Sequence, residues 1–168
     1  RMIAAIKNKE KICVFGDYDV DGAISSALLI RFGSAIGTEI SYYIPDRMKE
    51  GYGPNAPAMQ QLAADGVKLV ITVDCGITAH EPLAAAKAAG LDVIVLDHHA
   101  GEPNLPPAAA VVNPNRIDET SPNRHIAAVG VTFLFLVALN NKLKEQGLPT
   151  APTLMDELDI VALGTVCD

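Results

Sequence analysis

Apolar residues fall along this chain in short unbroken runs, separated by longer stretches with helical patterning. The runs at residues 11–15, 39–44, 68–73, 92–96 and 109–112 predict five strands. Strands that are apolar throughout, rather than alternating, are covered on both faces, as in a parallel sheet. Segments rich in Ala, Leu and Ile at 23–36, 59–64 and 80–89 predict helices between them, and further helices are expected at 126–146 and 154–163. Gly90 supplies a C-terminal stop for the third helix. The expected architecture is α/β, a mostly parallel five-stranded sheet with helices on both faces. Residues 45–57, 101–107 and 113–123 are expected to be connections, the last two rich in Pro and Asn and lying at the surface.

Composition narrows this picture only a little. The chain has 168 residues and is 49% hydrophobic, enough for one domain with a real core. No apolar run reaches the length of a membrane span, and no secretory signal opens the chain. Its 3 cysteines, Cys13, Cys75 and Cys167, form no CxxC pair, which fits reduced thiols in a cytoplasmic protein. A formal net charge of −7 argues against gripping nucleic acid by bulk electrostatics. It leaves room for a nucleic-acid enzyme whose bound cations cancel the acidic excess locally. The chain opens on Arg1 and stops at Asp168 straight after an apolar stretch, so it is expected to be a piece of a longer protein, with residues 1–168 forming one domain.

The chemistry is concentrated at the strand ends. In open parallel sheets, ligands bind beyond the carboxyl ends of the strands. The first predicted strand runs into Asp17-Tyr18-Asp19-Val20-Asp21, the third into Asp74-Cys75-Gly76 and the fourth into Asp97-His98-His99. Three strand ends thus bring metal-type ligands to one edge of the sheet. Carboxylates crowded as closely as Asp17, Asp19 and Asp21 need a cation or raised pKa values. A calcium-binding EF-hand loop counted from Asp17 would need Glu at its twelfth position, which is Leu28, and a helix rather than a strand before it. Capping of the helix that starts near Gly22 accounts for one of the three aspartates, not all. Adjacent histidines point in different directions, so one of His98 and His99 can ligate a metal while the other faces a substrate. His80 and His125 stand alone and are read as surface residues, and Cys75 as a small residue packed beneath the site. No GxGxxG, GxxxxGK[ST] or GxSxG occurs at the positions those chemistries require.

DYDVDG, VDCG and LDHH in that order resemble the DHH phosphoesterase superfamily, and the match runs the length of the chain. IPDRMKEGYG (44–53), AAVGVTFLF (127–135) and ALGTVCD (162–168) narrow the resemblance to the catalytic domain of its RecJ branch, single-strand-specific exonucleases. The resemblance implies a centre for two divalent metal ions, Mn²⁺ or Mg²⁺, that hydrolyses single-stranded DNA from its 5′ end. Two cations about 3.5–4 Å apart can activate water and stabilise a leaving oxygen. It places Asp17 and Asp19 toward one metal, Asp21, His98 and Asp168 toward the other, Asp74 between both, and His99 on the phosphate. Which metal Asp17 and Asp19 each bind stays open. Arg47 is a candidate phosphate contact, balanced against an exposed loop arginine. Tyr52 is expected to pack its loop down rather than stack on a base. The superfamily's second domain, DHHA1, and the OB-type module of the branch have no counterpart in these residues. A single-stranded-DNA-binding protein is a partner expected only through such domains. Two other readings compete: a DHH phosphodiesterase for short oligonucleotides or cyclic dinucleotides, and a non-catalytic DHH-like scaffold for a replication partner.

Overall fold

Five strands, Lys11–Gly16 (β1), Ile40–Tyr43 (β2), Val67–Val73 (β3), Asp92–Leu96 (β4) and Ala110–Val112 (β5), form one sheet in the order β2-β1-β3-β4-β5. A computed structural model describes residues 1–168. Every neighbouring pair is parallel, with Val14 opposite Tyr42 and Ile71, Ile71 opposite Ile94, and Ile94 opposite Ala110. All five carboxyl ends therefore lie along one edge.

Strand periodicity divides the core in two. Ile12, Val14, Leu69, Ile71, Val73, Ile94 and Leu96 face one side and pack with Met2–Asn8 (α1), Val20–Ala35 (α2) and Ala128–Glu145 (α6). Cys13, Phe15, Val70, Val93 and Val95 face the other side and pack with Ala56–Ala64 (α4) and His80–Ala88 (α5). The helix Leu158–Cys167 (α7), entered through a 3₁₀ turn at Met155–Glu157, lies on α2 and α6. No helix is long and apolar enough to cross a membrane.

The expected strands match in number and order, while helix starts differ for identifiable reasons. Helix α2 begins at Val20 rather than Ala23, because the Asp19 carboxylate accepts the Gly22 N–H at 2.9 Å and caps the first turn. Helix α4 begins at Ala56 rather than Met59, with Asn55 accepting the Ala58 N–H at 2.9 Å and Pro57 in the first turn. The connection 45–57 carries a one-turn helix, Arg47–Glu50 (α3), whose Asp46 cap accepts the Met48 N–H at 2.9 Å. Helix α1 was not foreseen. Its seven residues bury only Met2 and Ala5, too few positions to show a period.

The chain leaves β1 through α2 to β2 on one side, then returns to place β3 on the other side of β1. This order creates a switch point between β1 and β3, where open α/β sheets leave a crevice for ligands. Helix α2 starts so close beneath the end of β1 that a Cβ on Gly22 would lie 2.8 Å from the Asp17 N, O and Cβ atoms. Gly22→Ala must push α2 or the Asp17 turn aside. It is expected to cost about 1–3 kcal/mol of stability, measured by urea unfolding.

Candidate metal centre

Each strand end delivers its side chains through a different local device. After β1, Asp17 is 4% exposed and its Oδ1 accepts the Tyr18 N–H at 2.8 Å. Asp21, 1% exposed, turns inward from the first turn of α2. Its two oxygens accept the N–H groups of Ala128 (2.6 Å) and Val129 (2.7 Å), so it caps α6 from more than a hundred residues away. Capping thus explains more of this cluster than the sequence suggested, since Asp19 serves α2 and Asp21 serves α6.

After β3 the chain turns sharply at Asp74, which is buried and has φ +60°. Few residues other than Gly, Asn and Asp sit comfortably in that left-handed region, and such outliers cluster at functional sites. After β4 comes Asp97-His98-His99. Asp97 is fully buried. Its Oδ1 accepts the His98 N–H (2.8 Å) and the His99 N–H (3.2 Å) and pairs with His99 Nδ1 (2.8 Å). Its Oδ2 accepts the Ile77 N–H at 2.9 Å. The two imidazoles diverge, with ring planes 60° apart. His99 leans on Asp97, and His98 turns toward the other carboxylates.

His98 Nε2 is 3.2 Å from Asp74 Oδ1, 3.4 Å from Asp168 Oδ2 and 3.9 Å from Asp21 Oδ2. Although near enough to hydrogen-bond, His98 Nε2 and Asp74 Oδ1 are not directed at each other, and both are buried without a partner. Potential ligand atoms gather within 4.8 Å in three groups: Asp17, Asp19 and Asp74; Asp21, His98 and Asp168; Asp74, His98 and His99. Asp74 belongs to two groups and His98 to two, which joins the three into one cluster.

The electrostatics follow from burial. Burial raises the pKa of Asp17 and Asp21 and lifts Asp74 to about 7. The Asp74 carboxylate raises the His98 pKa against the opposing effect of burial. The hydrogen bond to Asp97 pushes His99 up to about 9, so its ring is cationic at neutral pH. Burial works to raise Asp97 too, but its imidazole and amide donors outweigh it and hold the pKa below the usual value. A buried polar atom without a partner is costly. Asp74 Oδ1 and His98 Nε2 are two such atoms among neighbouring carboxylates, and a divalent cation bound there would satisfy both. A donor set of carboxylate oxygens with one imidazole suits Mg²⁺ or Mn²⁺.

Two expectations need correction. Asp97 was grouped with the metal-type ligands at the strand ends, but its oxygens are committed to four donors and it stands outside all three groups. The stretch 113–123 is more than a surface connection. Asn113, 3% exposed, donates its Nδ2–H to the His99 carbonyl at 2.9 Å, and Asn115 donates to the His98 carbonyl at 2.5 Å. The fifth strand end therefore clamps the peptides that carry both histidines. Only the Asn-Pro-Asn spelling after β5 hinted at it. Arg47 is exposed, with its guanidinium carbon 4.7 Å above the Tyr18 ring centroid, beside Asp17. His80 is at the surface near Glu102 (3.1 Å), and His125 is exposed. Cys75 is fully buried under the Asp74 turn.

The chain is similar to proteins of known family in both sequence and fold. Residues 11–165 match the DHH family, N-terminal domain. The single-stranded-DNA-specific exonuclease RecJ of Salmonella typhimurium is 42% identical, over 98% of this chain and 30% of its own length. The RecJ of Bacillus subtilis is 40% identical over 100% of this chain and 20% of its own. The chain thus spans between a fifth and a third of the length of these curated relatives. A crystal structure of exonuclease RecJ bound to manganese superposes with a TM-score of 0.83 at 35% identity, covering 98% of this chain and 40% of that one. On sequence and fold alike, the chain belongs to the DHH family.

Proposed function

We propose that the cluster around Asp74 holds two divalent cations, Mn²⁺ or Mg²⁺, and serves the hydrolysis of single-stranded DNA from its end. One observation carries the proposal: the three ligand groups share Asp74 and His98, whose facing atoms are buried without partners. Asp17 and Asp19 would hold one cation; Asp21, His98 and Asp168 the other; Asp74 would bridge. When bound, two such cations activate water and stabilise the leaving oxygen of an in-line phosphoryl displacement. The nuclease reading draws on the RecJ relatives and on the structure of one with manganese.

The protein's own residues supply orientation and charge. His99, cationic and with its ring half exposed, offers a donor to a phosphate oxygen while Asp97 fixes the ring through Nδ1. Arg47, on the rim beside Asp17, offers a guanidinium fork to a neighbouring phosphate. The strained Asp74 turn sets its carboxylate where the ligand groups meet before any cation arrives, and preorganisation of this kind is where phosphoryl-transfer catalysis gains most. A non-catalytic scaffold has no use for Asp74 Oδ1 left without a partner.

Replacing Asp74 with Asn keeps the shape and loses the charge between the cations. Nuclease turnover on end-labelled single strands in Mn²⁺ is expected to fall by at least about 10²–10³-fold, with the circular dichroism spectrum unchanged. His80→Ala should stay close to the parent. Equal losses from both changes would show that the cluster is not the site.

Proton linkage gives a second test. Asp17, Asp21 and Asp74 have folded-state pKa values raised above their unfolded ones, so their protons favour the fold and that stability is lost as pH rises. His98 and His99 are raised as well, and their contribution is likewise lost with rising pH. In chelator, stability is therefore expected to decline from about pH 4, near the carboxylate model value of 3.8, toward pH 9, with Asp74 near 7 and His99 near 9. Mn²⁺ at millimolar concentration should raise the melting temperature and increasingly so above pH 6, because ligands must shed protons to bind it. A melting temperature indifferent to Mn²⁺ at neutral pH would overturn the metal reading.

A further inference from the structure

The segment IPDRMKEGYG, residues 44–53, contributes no carboxylate or imidazole to the three ligand groups, yet side-chain hydrogen bonds tie it down. Glu50 is its hub. It pairs with the Tyr43 hydroxyl at 2.5 Å and accepts the Asp46 N–H at 2.8 Å and the Asn55 side-chain amide at 3.2 Å. Tyr43 in turn stacks on the buried Phe15, with ring centroids 5.1 Å apart. Beyond Glu50, Gly51 (φ +80°) and Gly53 (φ +73°) turn the chain over so that Tyr52 lies across the end of β3.

There the Tyr52 hydroxyl donates to the main-chain carbonyl of Asp74 at 2.9 Å, and its ring meets the His99 ring edge-on, with centroids 6.1 Å apart. Asp74 needs such a hold. Its φ of +60° is a conformation that persists only where the surroundings over-determine it. Its amide N–H is already fixed by the Leu96 carbonyl at 3.0 Å, across to β4. The hydroxyl of Tyr52 fixes the other end of the same residue.

The geometry points to Tyr52 as a positioning residue, whose hydroxyl locks the Asp74 turn and thereby aims the carboxylate to where the ligand groups meet. This rests on the metal reading above. Tyr52 is 53% exposed overall, so the hydroxyl and the ring can be assigned separate work. Partners at one remove from a metal typically change its affinity by about 10–100-fold when removed. Tyr52 sits at that remove, acting through a backbone carbonyl.

The test separates the hydroxyl from the ring. Full-length protein carrying Tyr52→Phe or Tyr52→Ala would be titrated with Mn²⁺ alone, with bound ion followed by electron paramagnetic resonance and melting temperature measured in chelator. Tyr52→Phe keeps the ring and its contact with His99, and is expected to weaken Mn²⁺ binding about tenfold while the melting temperature in chelator stays within a few degrees of the parent. Unchanged Mn²⁺ affinity in Tyr52→Phe, with a loss only in Tyr52→Ala, would assign the role to the ring and overturn the inference. So would a Tyr52→Phe protein whose melting temperature in chelator collapses, because the hydroxyl would then support the fold at large. A parent protein that binds no Mn²⁺ would bring down the metal reading itself, a result distinct from either.

Discussion

A carboxylate taken out of water must be given either hydrogen-bond donors or a cation, and this requirement sorts the acidic residues at the head of the sheet. Asp97 receives four donors and is a structural anion. Asp21 receives two backbone amides from the start of α6, Asp17 receives one, and Asp74 Oδ1 receives none. The series runs from satisfied to unsatisfied across a few ångströms. Its unsatisfied end lies where the ligand groups overlap. Supply of donors, rather than acidity as such, separates Asp97 from Asp74.

The frame is a product of topology. A sheet that is parallel throughout puts every carboxyl end on one edge, and each of the five ends contributes something different. The end of β1 supplies carboxylates, β2 leads into the braced segment with Arg47 and Tyr52, and β3 supplies the strained Asp74. The end of β4 supplies the histidines, and β5 supplies the carboxamides that clamp them. Helix α7, packed on α2 and α6, brings Asp168 to within 3.4 Å of His98.

Much of this was legible in the sequence. The five strands stand out because buried parallel strands are apolar on both faces, and the fourth, Asp92–Leu96, has the expected limits. Helix starts were displaced toward their caps, Asp19 and Asn55, because a capping side chain extends a helix upstream of the first apolar residue. The gathering of Asp17, Asp19, Asp21, Asp74 and His98 followed from the strand-end rule, whereas Asp168 rested on resemblance alone. Three features were not readable. The capping of α6 by Asp21 is a contact between remote segments. The Asn113 and Asn115 clamp has no period and a composition typical of turns. The division of labour between Asp97 and Asp74, both strand-end aspartates, depends on which amides the turn happens to present.

The bond between Asp21 and the first amides of α6 also has a bearing on the order of events during synthesis. A nascent chain that has emerged as far as His99 already carries every strand-end carboxylate of β1, β3 and β4, but neither Ala128 nor Val129. Until those amides arrive, Asp21 cannot be buried without cost, and the crevice between β1 and β3 has every reason to stay open and hydrated. Parallel pairings between distant segments are slow to form in any case. The donors that let Asp21 be buried are thus among the last parts of the domain to be made, after every strand of the sheet.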